Sequence, residues 1–145
     1  MLKGIPNIIS PELLMVLDEM GHGDEICIGD GNFPGNTMCD YVIRLDGHGV
    51  PEILDAILQL VPLDTQVEHP LTLMAVSPND PTPTPKIWKE FKKIAAKYDE
   101  RGAKAFEEID RFAFYDRVKT KSYCCVMSGE TAVYANVIIK KGVVK

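Results

Sequence analysis

Apolar positions recur along the chain with two different periods, and the alternation between them lays out the elements. Leu13, Leu14, Leu17 and Met20 follow the helical period. Ser10-Pro11-Glu12 provides a start for that helix: a hydroxyl for the N-cap, proline at the first helical position and an acid in the first turn. Gly21 stands where a glycine would end it. Residues 25–29 read as a short strand, followed by the long loop 30–36 and a second strand at 41–44. Val50-Pro51-Glu52 opens another helix with Ile53, Leu54, Ile57, Leu58 and Val61 on one side, and Pro62 stops it.

The apolar run 71–76 lies between Pro70 and Pro78, as a buried strand should. Four prolines in residues 77–85 predict an extended surface loop, because none of them can donate to a ladder. Ile87, Phe91, Ile94, Ala95 and Tyr98 keep helical spacing over a lysine-rich opposite face. Residues 105–109 read as a strand, and Asp110 caps a helix running to about Lys119. Strands at 123–127 and 136–140 follow, joined by the Gly129-Glu130 turn region. Strands alternating with helices predict an α/β fold: one compact domain, residues 1–145, with a mainly parallel sheet flanked by helices.

Composition narrows the functional classes. With 46% hydrophobic and 26% charged residues, the 145-residue chain can bury a core. A net charge of −5 repels phosphate backbones, which argues against nucleic acid as a partner. No apolar run approaches the roughly 20 residues of a membrane span, so no membrane association is expected. The opening Met1-Leu2-Lys3-Gly4-Ile5-Pro6 lacks the basic end and apolar block of a secretory signal, and a cytoplasmic location is expected. Four scattered cysteines suggest core thiols rather than a disulfide framework. Cys124 and Cys125, being adjacent in a strand, would point to opposite faces and could not share a metal.

Three places carry polar residues that a purely structural sequence would not need. In Gly21-His22-Gly23-Asp24, the glycines leave the imidazole little steric cover, and an imidazole gives and takes protons near its ordinary pKa of about 6.5. An ordinary loop or capping histidine would look the same. Asp30 follows the first strand, where open α/β sheets gather ligands, though Asp before Gly31 also suits a plain turn. His22 and Asp30 bracket a five-residue strand, about 17 Å if extended, which one subunit would have difficulty closing around one small molecule. Tyr134-Ala135-Asn136 and Arg111 offer a hydroxyl, an amide and a planar fork of donors suited to sugar hydroxyls. Rim packing, a turn and a surface ion pair account more simply for each of them taken alone.

These residues also carry a resemblance. Ser10-Pro11-Glu12-Leu13-Leu14, Met20-Gly21-His22-Gly23-Asp24-Glu25-Ile26, Asn32-Phe33-Pro34, residues 110–115, Tyr134-Ala135-Asn136 and Lys141-Gly142-Val143 resemble, in order and over nearly the whole chain, the family of D-ribose pyranases and L-fucose mutarotases. The resemblance implies a cofactor-free isomerase that interconverts the anomers of a monosaccharide, built as a ring-shaped homo-oligomer, commonly a decamer, with each site completed by a neighbouring subunit. It assigns His22 as the general acid and Asp30, Arg111, Tyr134, Ala135 and Asn136 as sugar-contacting residues. Gly23 and the Arg-bearing stretch 110–115 fit the fucose branch, whereas Ala135 stands where fucose members usually have Gly. Phe33, Phe112 and Tyr115 are candidates for an apolar wall against the fucose methyl group. The base that partners His22 stays open among Asp30, Tyr134 and water. Pyranose–furanose exchange of D-ribose and a non-catalytic sugar-binding or transport-accessory role are the alternatives.

Overall fold

Both faces of every central strand are covered, which is why the strands read as unbroken apolar runs. In the computed structural model, which describes residues 1–145, the order is α1 (Pro11–Glu19), β1 (Glu25–Gly29), α2 (Gly35–Met38), β2 (Val42–Leu45), α3 (Val50–Leu58), β3 (Leu71–Met74), α4 (Ile87–Tyr98), β4 (Phe106–Ile109), α5 (Arg111–Lys121), β5 (Ser122–Ser128) and β6 (Val137–Lys140). The larger core joins α1, α3 and α4 to one sheet face through Leu17, Leu54, Phe91, Ile26, Ile28 and Val126. The smaller packs α5 and α2 on the other face through Phe114, Val118, Cys27, Cys125 and Met127. Cys124 falls in the first core and Cys125 in the second, the opposite-face arrangement expected of adjacent strand residues.

The sheet order is β2-β5-β1-β6-β3-β4. β1 and β2 pair with β5 in parallel, and β3 pairs with β4 in parallel. β6 alone runs the other way, inserted between β1 and β3. The sheet is therefore mainly parallel with one reversed strand. β5 and β6 are not a hairpin: β1 lies between them, so residues 129–136 cross over the end of β1. This crossing brings the carboxyl ends of β1, β3, β4 and β5 together with the amino end of β6, a switch point of the kind where ligands collect.

Local chemistry explains most element boundaries. Ser10 accepts the Leu13 N–H (3.1 Å) at the start of α1, and Asp110 accepts the Phe112 and Ala113 N–H groups (3.1 Å each) at the start of α5. The end of α1 differs from expectation. Met20 turns into extended backbone, and Gly21 is held by the Asp24 carboxylate (2.8 Å) rather than closing the helix in a left-handed conformation. Gly23 has the positive φ, +85°, that favours glycine. The loop after β1 contains the one-turn helix α2, packed so tightly that a Cβ on Gly35 would lie 2.4 Å from Met127 Sδ. No helix is long and apolar enough to cross a membrane.

Candidate functional site

A cavity of about 240 Å³ opens at the switch point, below the roughly 300–1,000 Å³ usual for drug-sized ligands and suited to one small molecule. Asp30 enters it from the end of β1, Met74 from the end of β3, Arg111 from the start of α5, and Tyr134 and Asn136 from the approach to β6. Phe33 and Tyr115 give it an apolar side, their rings 5.8 Å apart. Of the three aromatic residues expected there, Phe112 is displaced. It does not line the cavity and is 76% exposed, because its position on α5 faces outward when Phe114 is turned into the core.

Asp30 and Asn136 organise each other. Asn136 Oδ1 accepts the Asp30 N–H (2.8 Å), which fixes the amide orientation and leaves its NH₂ group as a donor. Asp30 accepts the Asn32 N–H (3.0 Å) and the Ala135 N–H (3.3 Å), one on each oxygen. Ala135 thus serves the site through its backbone, its side chain being buried in the core. With Asp30 only 4% exposed, burial pushes its carboxyl above the usual range against the pull of the Asn32, Ala135 and Phe33 N–H groups.

Tyr134 is the sole non-glycine residue with positive φ, +55°, a conformation that costs a bulky side chain about 1–3 kcal/mol. Its carbonyl accepts the Trp88 indole N–H (2.8 Å) and its hydroxyl donates to Asp80 Oδ2 (2.6 Å), so the ring is held at both ends. Arg111 donates from Nε to the Tyr115 hydroxyl (3.1 Å) and lies over that ring, 5.4 Å from its centroid, leaving the rest of the guanidinium fork available.

His22 is elsewhere. It precedes β1, whereas the cavity lies beyond the end of β1, so the structure joins Asp30, Arg111, Tyr134 and Asn136 and leaves His22 out. Its imidazole Nε2 pairs with Asp64 Oδ1 (3.0 Å); the His22 side chain is 41% exposed and that of Asp64 only 5%. Burial pushes the Asp64 carboxyl up, but hydrogen bonds from the Gln66 N–H and His22, with the Lys140 charge nearby, outweigh it and the net direction is down. An imidazole so held presents its other nitrogen outward.

The sequence reading missed Asp64, Asp80 and Thr82. Asp64 meets His22 across 42 positions and Asp80 meets Tyr134 across 54, separations over which local patterns carry no signal. The proline-rich loop was legible as a loop, but nothing marked it as a cavity wall.

The architecture defines a class: a small α/β domain with a polar, one-sidedly aromatic cup at a sheet switch point and, at the sheet's other end, a partly exposed histidine paired with a buried aspartate. Residues 3–144 match the RbsD / FucU transport protein family, and the chain belongs to it. It is 45% identical to the fucose mutarotase of Homo sapiens over 98% of this chain and 94% of that protein. It is similar also to the crystal structure of FucU from Bifidobacterium longum, with 52% identity and a TM-score of 0.95 over 99% of this chain and all of that one. A fucose mutarotase from Streptococcus pneumoniae, solved in complex with L-fucose, has 44% identity and a TM-score of 0.91, again over 99% of this chain and all of that one.

Proposed function

We propose that this protein is an isomerase that interconverts the α and β anomers of L-fucose by opening and reclosing the sugar ring. The observation that carries the reading is the convergence of Asp30, Arg111, Tyr134 and Asn136 on one small cavity. The relatives named for fucose exchange, and the 44% identical one that holds L-fucose, support it.

Ring opening removes the proton of the anomeric hydroxyl, forms the C1 carbonyl and sends the C1–oxygen electron pair to the ring oxygen, which takes a proton. The carbonyl turns and the steps reverse. Asp30 accepts from sugar hydroxyls with the lone pairs its backbone bonds leave free, while the Asn136 amide and Arg111 fork donate to them. Phe33 and Tyr115 supply the apolar side for the fucose methyl group. His22 is the proton donor to the ring oxygen, oriented by Asp64.

Because His22 and this cavity occupy opposite ends of β1, the donor comes from a second copy of the chain. The active species is a ring-shaped homo-oligomer, read as a decamer, in which the cavity of one copy meets His22 of the next. The exposed Phe112 and half-exposed Val133, one beside the cavity residue Arg111 and the other on the cavity rim, give that contact an apolar component. The whole chain, residues 1–145, acts as one sugar-handling domain. A cytoplasmic setting belongs to the reading, supported by four cysteines that are all free thiols.

Saturation transfer between the anomeric proton resonances tests the reaction directly. L-Fucose is expected to exchange faster with the protein than without it, and faster than D-ribose. No acceleration of fucose exchange, or ribose exchange equal to it, would overturn the assignment.

A further inference from the structure

Two carboxylates line the cavity, and their hydrogen bonds differ in kind. Asp30 is held by backbone N–H groups alone and keeps lone pairs for a ligand. Asp80 is engaged with two side-chain hydroxyls as well as one backbone group: Oδ1 accepts the Thr82 N–H (2.9 Å) and the Thr82 hydroxyl (2.5 Å), and Oδ2 accepts the Tyr134 hydroxyl (2.6 Å). The Thr82 bonds aim the carboxylate, and Pro78, Pro81, Pro83 and Pro85 stiffen the loop that carries it.

A phenol has one proton to donate and two lone pairs to accept with. The Tyr134 proton goes to Asp80, and one lone pair receives the Ser77 N–H (3.3 Å). The remaining lone pair has no partner within the chain, and Tyr134 lines the cavity. We propose that Asp80 is a positioning residue for Tyr134: by accepting the hydrogen bond of its O–H, it turns the phenolic oxygen's free lone pair toward the anomeric hydroxyl of the bound sugar as an acceptor. This rests on the anomer-exchange reading above. Without Asp80, the hydroxyl could rotate and offer its proton to the sugar, which is the wrong polarity for a group that must lose a proton on ring opening. The Trp88 bond to the Tyr134 carbonyl holds the strained backbone, so the ring stays in place while only its proton direction depends on Asp80. Such an acceptor matters most as the anomeric O–H bond polarises, so its loss acts on rate more than on affinity.

The test combines Asp80→Ala, Asp80→Asn and Tyr134→Phe. Asp80→Ala is expected to slow fucose exchange by about 10- to 100-fold, the scale of a misplaced catalytic group, with affinity by calorimetry changed less than about threefold. Asp80→Asn keeps the shape, but the Thr82 N–H and hydroxyl hold its single oxygen at the Oδ1 place and leave its NH₂ facing the Tyr134 oxygen, so it is expected to lose about as much as Asp80→Ala. In the Tyr134→Phe background, Asp80→Ala adds no further loss. An equal fall in affinity and rate, full exchange in Asp80→Asn, or an additive loss without the Tyr134 hydroxyl would each overturn the proposal. A second readout is independent of exchange. In protein carrying ¹³Cζ-labelled tyrosine, the Tyr134 resonance, assigned by its absence in Tyr134→Phe, is expected to shift in both Asp80→Ala and Asp80→Asn. If the unaltered protein does not exchange fucose anomers, the reaction reading fails, and this resonance still decides whether Asp80 sets the state of Tyr134. An unmoved resonance contradicts the proposal.

Discussion

Asn136 serves the fold and the site with one amide. Its carbonyl oxygen satisfies the Asp30 N–H and its NH₂ faces the cavity, so Asn136→Ala removes a ligand donor and orphans a buried N–H. Weaker fucose binding and slower exchange are expected together, with a stability loss of about 1–3 kcal/mol measurable by urea unfolding. His22 should behave differently. His22→Ala is expected to slow exchange by roughly 10²–10⁴-fold while leaving affinity largely intact, because its proton matters most as the C1–oxygen bond breaks. The same change should also alter acid stability. The Asp64 carboxyl lies below its ordinary value, so its stabilisation is full above the unfolded carboxylate range of about 3.9 and is lost as pH falls through the lowered folded value. Removing His22 takes away one lowering contact, so acid unfolding followed by circular dichroism should begin at a higher pH. At this scale the sequence was legible for Asp30, which follows a strand and does reach the cavity, whereas His22, marked by its flanking glycines, lies outside it. Asp64 and Asp80 gave no signal, since an aspartate in a loop becomes informative only through the distant group it meets.

At the scale of elements, starts were legible and directions were not. Ser10 and Asp110 announce their helices because a cap is a local contact, and the apolar runs announce buried strands. The reversal of β6 and its insertion between β1 and β3 come from pairing with partners more than sixty positions away, which the four-residue run Val137–Lys140 does not encode. That insertion nevertheless builds the site, since it delivers Tyr134 and Asn136 to the end of β1. The other end of β1 is anchored by a charge network. Glu25, 1% exposed, accepts Arg117 Nε (3.1 Å) and Nη2 (2.9 Å), and Arg117 also donates to Glu107 (2.8 Å), tying α5 to β1 and β4. Arg117→Met is expected to cost about 3–5 kcal/mol in urea unfolding, because it removes both hydrogen bonds to a buried carboxylate and leaves it only Lys140 Nζ at 3.6 Å. A Glu25→Gln, Arg117→Met double change should recover part of that loss.

For the whole molecule, the decisive fact is that one copy of the chain does not bring its histidine–aspartate pair to its own cavity. The length of β1 sets that separation, and no side-chain motion spans about 17 Å of strand. The proposal of a site shared between copies rests on that separation. The account predicts that dilution or interface changes at Phe112 that lower the particle size in light scattering will lower exchange with it. The most direct test mixes two defective proteins. His22→Ala keeps the cavity, and Asp30→Ala keeps the proton donor; each alone should exchange L-fucose slowly. Dissociated and reassembled together in equal amounts, they should recover about a quarter of the unaltered activity per chain by random assortment around a closed ring. No recovery in mixed oligomers of confirmed composition would mean that His22 and the cavity do not work across a subunit boundary.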